Sequence, residues 1–188
     1  MGDVKDDLHA KLVEVRGALM SAVEGVSEHD LRRPLTPTGT NLIGLVKHLV
    51  GVEHVYLGDS FGRPAPDVLS WVADGSVWDG ADMWATADES SDEILALYRR
   101  ACAHGDETVA LLDLDAPGRV PHWNPATADT TLGYLLVRMV GETAQHAGHA
   151  EIVRELVDGR TGSDTGTSGT DWPAYVATIE AAARPFAP

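Results

Sequence analysis

The sequence predicts an all-α protein, a four-helix bundle with two long crossover loops and a short C-terminal helix. Three observations lead there. Four stretches repeat apolar residues at three- and four-residue spacing over several turns. Two of the segments joining them are too long, and too rich in proline, glycine and tryptophan, to be ordinary turns. No stretch alternates apolar and polar residues strongly enough to predict a strand.

The first helix is expected from about Val4 to Val26, with Leu8, Leu12, Val15, Leu19 and Val23 on its buried side. Pro34, Pro37 and Gly39 forbid its continuation. Thr40 is a candidate N-cap for a second helix over roughly Asn41 to Asp59. Leu42, Leu45, Val46, Leu49, Val52, Val55 and Tyr56 give that helix a wide apolar face, suited to more than one neighbour. Residues 61–88 form the first long loop and hold Trp71, Trp78 and Trp84. These tryptophans read equally well as a wall over a pocket or as plugs over helix ends.

Ser90-Ser91-Asp92-Glu93 is an N-terminal signature for a third helix, about Ser91 to Asp113. The second long loop follows, from Leu114 to Thr130, with Pro117, Pro121, His122, Trp123 and Pro125. The fourth helix is expected from near Thr131 to Asp158, stopped by Gly159. Residues 160–170, rich in Gly, Ser and Thr, read as a flexible linker, and Asp171 or Trp172 opens a short helix to about Ala183. One domain, 1–188, is expected, with its core over about 4–159 and the linker and appendage over 160–188.

Charge narrows the partners. Against 14 Lys and Arg stand 29 Asp and Glu, a formal net charge of −15. Such a surface repels nucleic acid and anionic lipid, and leaves a small-molecule substrate or a cation as the expected partner. Cys102 is the only cysteine, so no intrachain disulfide forms. The charged start of the chain lacks the apolar run of a signal peptide, and no window has the length of a membrane span. A soluble cytoplasmic protein is expected.

The most informative segment is Gly141-Glu142-Thr143-Ala144-Gln145-His146-Ala147-Gly148-His149. Glu142, His146 and His149 follow i, i+4, i+7 spacing and share a helix face with Leu135, Met139 and Val153. Polar groups aimed at a core need partners, because burying them unpaired costs on the order of several kcal/mol. A shared metal ion meets that need. His48, among Leu45, Val52 and Val55 on the second helix, would alone read as a core histidine. Set against the fourth helix it supplies a third ligand and leaves coordination positions open for chemistry. Imidazole and carboxylate ligands suit Zn²⁺ best, and Ni²⁺, Fe²⁺ and Mn²⁺ also fit. Spacing alone leaves two triads, His48–Glu142–His146 and His48–His146–His149.

The segments Leu45-Val46-Lys47-His48-Leu49-Val50-Gly51-Val52-Glu53-His54 and Glu142-Thr143-Ala144-Gln145-His146-Ala147-Gly148-His149 resemble the second- and fourth-helix motifs of the DinB superfamily of metal-binding bundles. The resemblance spans roughly residues 4–159. Many members place three histidines at the metal. Glu142 stands where the first fourth-helix histidine would be, which resembles the His-Glu-His branch that includes mycothiol-dependent maleylpyruvate isomerase and uncharacterised relatives. The resemblance implies His48, Glu142 and His146 as metal ligands, with His149 in a supporting or substrate-facing role. It also implies a low-molecular-weight thiol, mycothiol or bacillithiol, as cosubstrate. The expected activity is a metal-dependent S-transferase or isomerase acting on a small electrophile. Alternatives on the same scaffold are a hydrolase or lyase using metal-bound water, and a non-catalytic metal-binding stress protein. Relatives often dimerise through helix faces, and the wide face of the second helix permits a homodimer.

Two residues are candidate acids or bases, His149 on the metal face and Glu53 on the second helix. Glu53 has a competing and favoured structural reading, a buried salt bridge to an arginine such as Arg138 or Arg154. His54 and His122 are weaker candidates. Cys102, between Ala101 and Ala103, reads as a buried thiol and not as a nucleophile.

Overall fold

The computed structural model describes residues 3–162 and 169–187. Among them, helices α1 (Val4–Val23), α3 (Leu42–Leu57), α5 (Ser91–Leu111) and α6 (Leu132–Asp158) form the expected helical bundle. α1 packs along α6, and α3 packs on both α5 and α6. The interior is built from Leu12 and Leu19 of α1, Leu45 and Leu49 of α3, and Leu135, Leu136 and Met139 of α6, all essentially inaccessible to water. A cavity left by Leu49→Ala at such a position costs about 2–5 kcal/mol.

Local signals set the boundaries. Ser90 caps α5 by accepting from Glu93 N, and Thr131 caps α6 by accepting from Tyr134 N. Gly159, at φ 75°, ends α6 in the left-handed conformation that favours glycine. α1 stops earlier than expected, before Gly25 at φ 70°, and a short helix α2 (Glu28–Arg32), capped by Ser27, follows it. The cap of α3 is Asn41 and not Thr40. The Asn41 side chain accepts from Gly44 N at 2.8 Å and donates to the Met83 carbonyl at 3.0 Å, a double role that a hydroxyl fills less readily.

That second bond belongs to a strong attachment between α3 and the first long loop. The loop contains α4 (Ser70–Ala73) and 3₁₀ turns at Asp59–Phe61, Ser76–Asp79 and Ala81–Met83. A Cβ on Gly44 would collide with the Met83 carbonyl, so the turn at Ala81–Met83 can lie on α3 only because residue 44 is glycine. Lys47 Nζ donates to the Trp84 carbonyl at 3.0 Å and to Glu89 at 2.9 Å. Both readings of the tryptophans hold, on different residues. Trp71 is a plug, 6% exposed, with Lys47 Nζ 4.5 Å above its ring. Trp78 is 74% exposed and stands in a cavity wall.

The wide apolar face of α3 is used inside one chain. α5, α6 and the loop cover most of it. The second long loop differs from the expectation. It contains an antiparallel pair, β1 (Pro117–Arg119) and β2 (Asp129–Thr131), with Pro117 opposite Thr131. Three-residue strands are too short to display a period of two in sequence. α7 (Trp172–Ala183), capped by Asp171, lies exposed along its whole length. The expected linker falls largely on residues 163–168, outside the described residues. No helix among the described residues is long and apolar enough to cross a membrane.

Candidate metal centre

His48 comes from the middle of α3, and Glu142 and His146 from successive turns of α6, where the two helices touch. Each offers one ligand atom, and the three atoms lie within 4.8 Å of one another. Glu142 Oε1 is 3.3 Å from His146 Nε2 and 3.6 Å from His48 Nε2. The two imidazole rings meet edge to face at 4.9 Å.

A fourth residue completes the arrangement. His48 Nδ1–H donates to Asp82 Oδ2 at 2.7 Å. Asp82 sits in the 3₁₀ turn that Gly44, Asn41 and Lys47 hold against α3. A carboxylate on one imidazole nitrogen fixes the tautomer and turns the other nitrogen toward a ligand. Sequence reasoning missed Asp82. Its only signal was an aspartate in the tryptophan loop, and Asp67, Asp74, Asp79 and Asp88 carried the same signal.

The electrostatics favour a cation. Burial works against a charge on His48, but the hydrogen bonds and charges of Asp82 and Glu142 more than offset it and raise its pKa. Burial lowers the pKa of His146, and the neighbouring His48 lowers it further. His146 Nδ1 is buried without a partner among the described residues. Two imidazoles and a carboxylate, one of them oriented by a second carboxylate, form a donor set that fits a divalent ion. Among the described residues this is the only such group of three.

His149, one turn on, stays at the flank, exposed, with its ring 5.6 Å from that of His146. Glu53 is elsewhere. Both its oxygens accept from Arg16, at 2.7 Å each, and the carboxylate is buried. The salt bridge anticipated for Glu53 therefore exists, but with Arg16 in place of Arg138 or Arg154. Arg154 instead donates to the carbonyls of Ala22 and Glu24 at the end of α1. Burial pushes the Cys102 thiol well above its ordinary pKa, and Glu53 adds to the rise.

The cluster opens into a cavity of about 580 Å³. Val52, Val55, Val72, Val77 and Trp78 give it apolar walls, and His48, Asp82 and Glu142 form its polar end. His122 and Arg138 also line it. The His122 ring lies 6.0 Å from Trp78 and 5.9 Å from Tyr56, and burial lowers its pKa. Arg138 Cζ lies 4.8 Å from the Tyr56 ring centre and 5.4 Å from that of Trp123, and its Nη2 is 3.8 Å from Glu142 Oε2. Its place one turn before Glu142 was visible in sequence; its contact with two aromatic rings was not.

No curated protein matches the chain. The family profile described as mycothiol-S-transferase matches residues 7–159, which takes in both helices of the cluster and the loop that carries Asp82. The chain belongs to the mycothiol-S-transferase family, a DinB-like family.

Proposed function

We propose that this protein is a divalent-metal-dependent enzyme that transfers the sulfur of mycothiol to a small electrophile. The observation that carries the reading is the convergence of His48, Glu142 and His146, two of which, His48 and Glu142, line one end of a cavity that valines and Trp78 wall in part. We assign these three residues to the metal, with Zn²⁺ the best match to two imidazoles and a carboxylate. A bound divalent ion supplies the positive charge that makes the thiol a thiolate at neutral pH.

The rest falls to side chains of this chain. Asp82 keeps the His48 proton on Nδ1 and leaves the Nε2 lone pair free to ligate a metal. The valines and Trp78 hold the carbon skeleton of the electrophile near the polar end. His149, at the flank, takes the proton released by the thiol. The thiolate sulfur then bonds to the electrophilic carbon, and the electron pair displaced from that carbon leaves with its leaving group or takes up the proton. Glu53 has no part in these steps, because both its oxygens are held by Arg16.

The test is a thiol-transfer assay on metal-loaded protein, with mycothiol and a haloalkyl fluorogenic electrophile. Bound metal of about one equivalent and metal-dependent loss of free thiol are expected. Stoichiometric metal without acceleration of mycothiol consumption by any electrophile tried would overturn the reading. Turnover of a substrate without thiol would replace it with hydrolysis by metal-bound water.

A further inference from the structure

Arg138 lines two cavities. One is the metal cavity, and the other is a groove of about 530 Å³ formed by the second long loop and the start of α6. Trp123, Thr127, Asp129, Thr130, Thr131 and Tyr134 form the rest of this groove. The chemistry of the two spaces differs. The metal cavity sets valines and Trp78 beside the His48, Asp82 and Glu142 end and is the space into which the candidate ligands open. The groove offers three threonine hydroxyls, a carboxylate, a phenol and two aromatic rings in edge-to-face contact at 6.2 Å.

Several of these groups are free to bind. Among the described residues the Thr130 and Tyr134 hydroxyls make no hydrogen bond, and the Thr131 hydroxyl only accepts, from Tyr134 N, which leaves its proton to donate. Asp129 is paired on one side with Arg119 and remains exposed. Arg138, beside Tyr56 and Trp123, stands where the groove approaches Glu142, and its Nε is buried without a partner among the described residues.

Mycothiol has two chemically distinct ends, a cysteinyl thiol and a glucosamine–inositol unit dense in hydroxyls. We infer that the groove between the β1–β2 loop and α6 holds the glucosamine–inositol end, while the cysteinyl end passes Arg138 to the metal cavity. This rests on the reading of the protein as a mycothiol-dependent enzyme. The apolar face of a sugar ring lies on Trp123 or Tyr134, and its hydroxyls exchange hydrogen bonds with Thr130, Thr131 and Asp129. The division leaves the apolar cavity free for the electrophile, so both reactants fit at once.

Binding of the thiol-free glucosaminyl-inositol fragment to the metal-loaded protein, followed by calorimetry, tests the groove without depending on turnover. The exposed position of Tyr134 makes Tyr134→Ala a mild change for folding, and Thr130→Val keeps the shape of the side chain while removing the hydroxyl. Each substitution should weaken the fragment at least about fivefold, in the range of one lost hydrogen bond or stacking contact. Each should also raise KM for mycothiol at least about fivefold more than KM for N-acetylcysteine, which lacks the sugar. Fragment binding that ignores both substitutions, or no fragment binding beside active mycothiol transfer, overturns the inference and leaves the proposed function standing. Fragment binding that responds to the substitutions, in a protein that transfers no thiol, upholds the groove and overturns the proposed reaction.

Discussion

Helix α3 carries two charged clusters, and they are built on opposite principles. Glu53 lies five residues after His48, about 140° further round the helix, so the two face different neighbours. The Glu53 cluster is closed. Arg16 Nε and Nη2 donate to its two oxygens, Arg16 Nη1 donates to Asp106 at 2.6 Å, and His9 Nε2 is 2.8 Å from Asp106. Burial works against the Arg16 charge, but Glu53 more than offsets it and holds the guanidinium above its ordinary range. Burial also pushes the Glu53 carboxyl up, against the pull of Arg16. Each carboxylate there accepts from Arg16, and the group is satisfied within the fold. The His48 cluster is open. It brings acceptor atoms together around Glu142, leaves a buried imidazole nitrogen unpaired among the described residues, and lies beside a cavity. A polar cluster closed on itself reads as structure, and one whose acceptor atoms converge beside a cavity reads as a site.

The largest expected effect breaks the open cluster. His48→Ala should reduce bound metal to below about a tenth of an equivalent and abolish thiol transfer, since a two-ligand remnant holds an ion poorly. The metal-free variant should lose about 1–3 kcal/mol of stability, because the buried Asp82 is left without its imidazole partner. Elemental analysis and thermal melts in chelator read both. Retained stoichiometric metal would refute the ligand assignment. Arg16→Met tests the closed cluster and should show the reverse pattern. Stranding a buried Glu53 costs about 3–5 kcal/mol. For a chain of this size that lowers the melting temperature by roughly 6–20 °C. The metal content of the folded fraction should not change. A variant that lost metal with stability intact would erase the distinction between the clusters.

The sequence carried the periodic parts of this comparison and not the parts that depend on loops. His48, Glu142 and His146 were readable because helical spacing fixes which side chains share a face, and because two helix motifs of a known superfamily occurred in order. α5, α6 and α7 were readable to within about two residues for the same reason, with caps to mark their ends. The partner of Glu53 was not. Arg16 is 37 residues away on α1, and many arginines stood at comparable helical positions; only the packing of α1, α3 and α5 selects one. Asp82 was hidden because its position depends on where a loop lands. That landing is decided by the missing Cβ of Gly44 and the two-sided cap of Asn41, features with no periodic signature.

Asp82→Asn sharpens the comparison from the loop side. The amide keeps the shape but cannot accept on both atoms or hold the imidazole tautomer as a carboxylate does. Metal affinity should fall about 10–100-fold, with His48, Glu142 and His146 all still present. Competition against a chelator of known affinity measures it. An unchanged affinity would mean that Asp82 merely packs the loop.

The smallest effect lies beside the closed cluster, at Cys102. Its thiol is 3.9 Å from Glu53 Oε1, and burial first, then Glu53, lifts its pKa far above the ordinary value of 9.0. A folded-state pKa above the unfolded one means that the fold prefers the protonated thiol. The stability this represents is fully present below pH 9, where the unfolded chain is protonated too. It is lost as pH rises, because the unfolded chain gives up its proton first. Between about pH 9 and 10 the loss approaches a slope of 1.4 kcal/mol per pH unit, as an upper limit of roughly one proton. Above that window Tyr98, also raised by burial, adds its own loss. Cys102→Ala removes the first contribution, so its stability should fall less steeply over that window than that of the unsubstituted protein. The two curves should run parallel below pH 8. Denaturant melts at half-unit steps from pH 7 to 10 resolve the difference in slope. Identical slopes would mean that the thiol beside Glu53 ionises as easily in the fold as outside it, and that the closed cluster is wetter than its geometry implies.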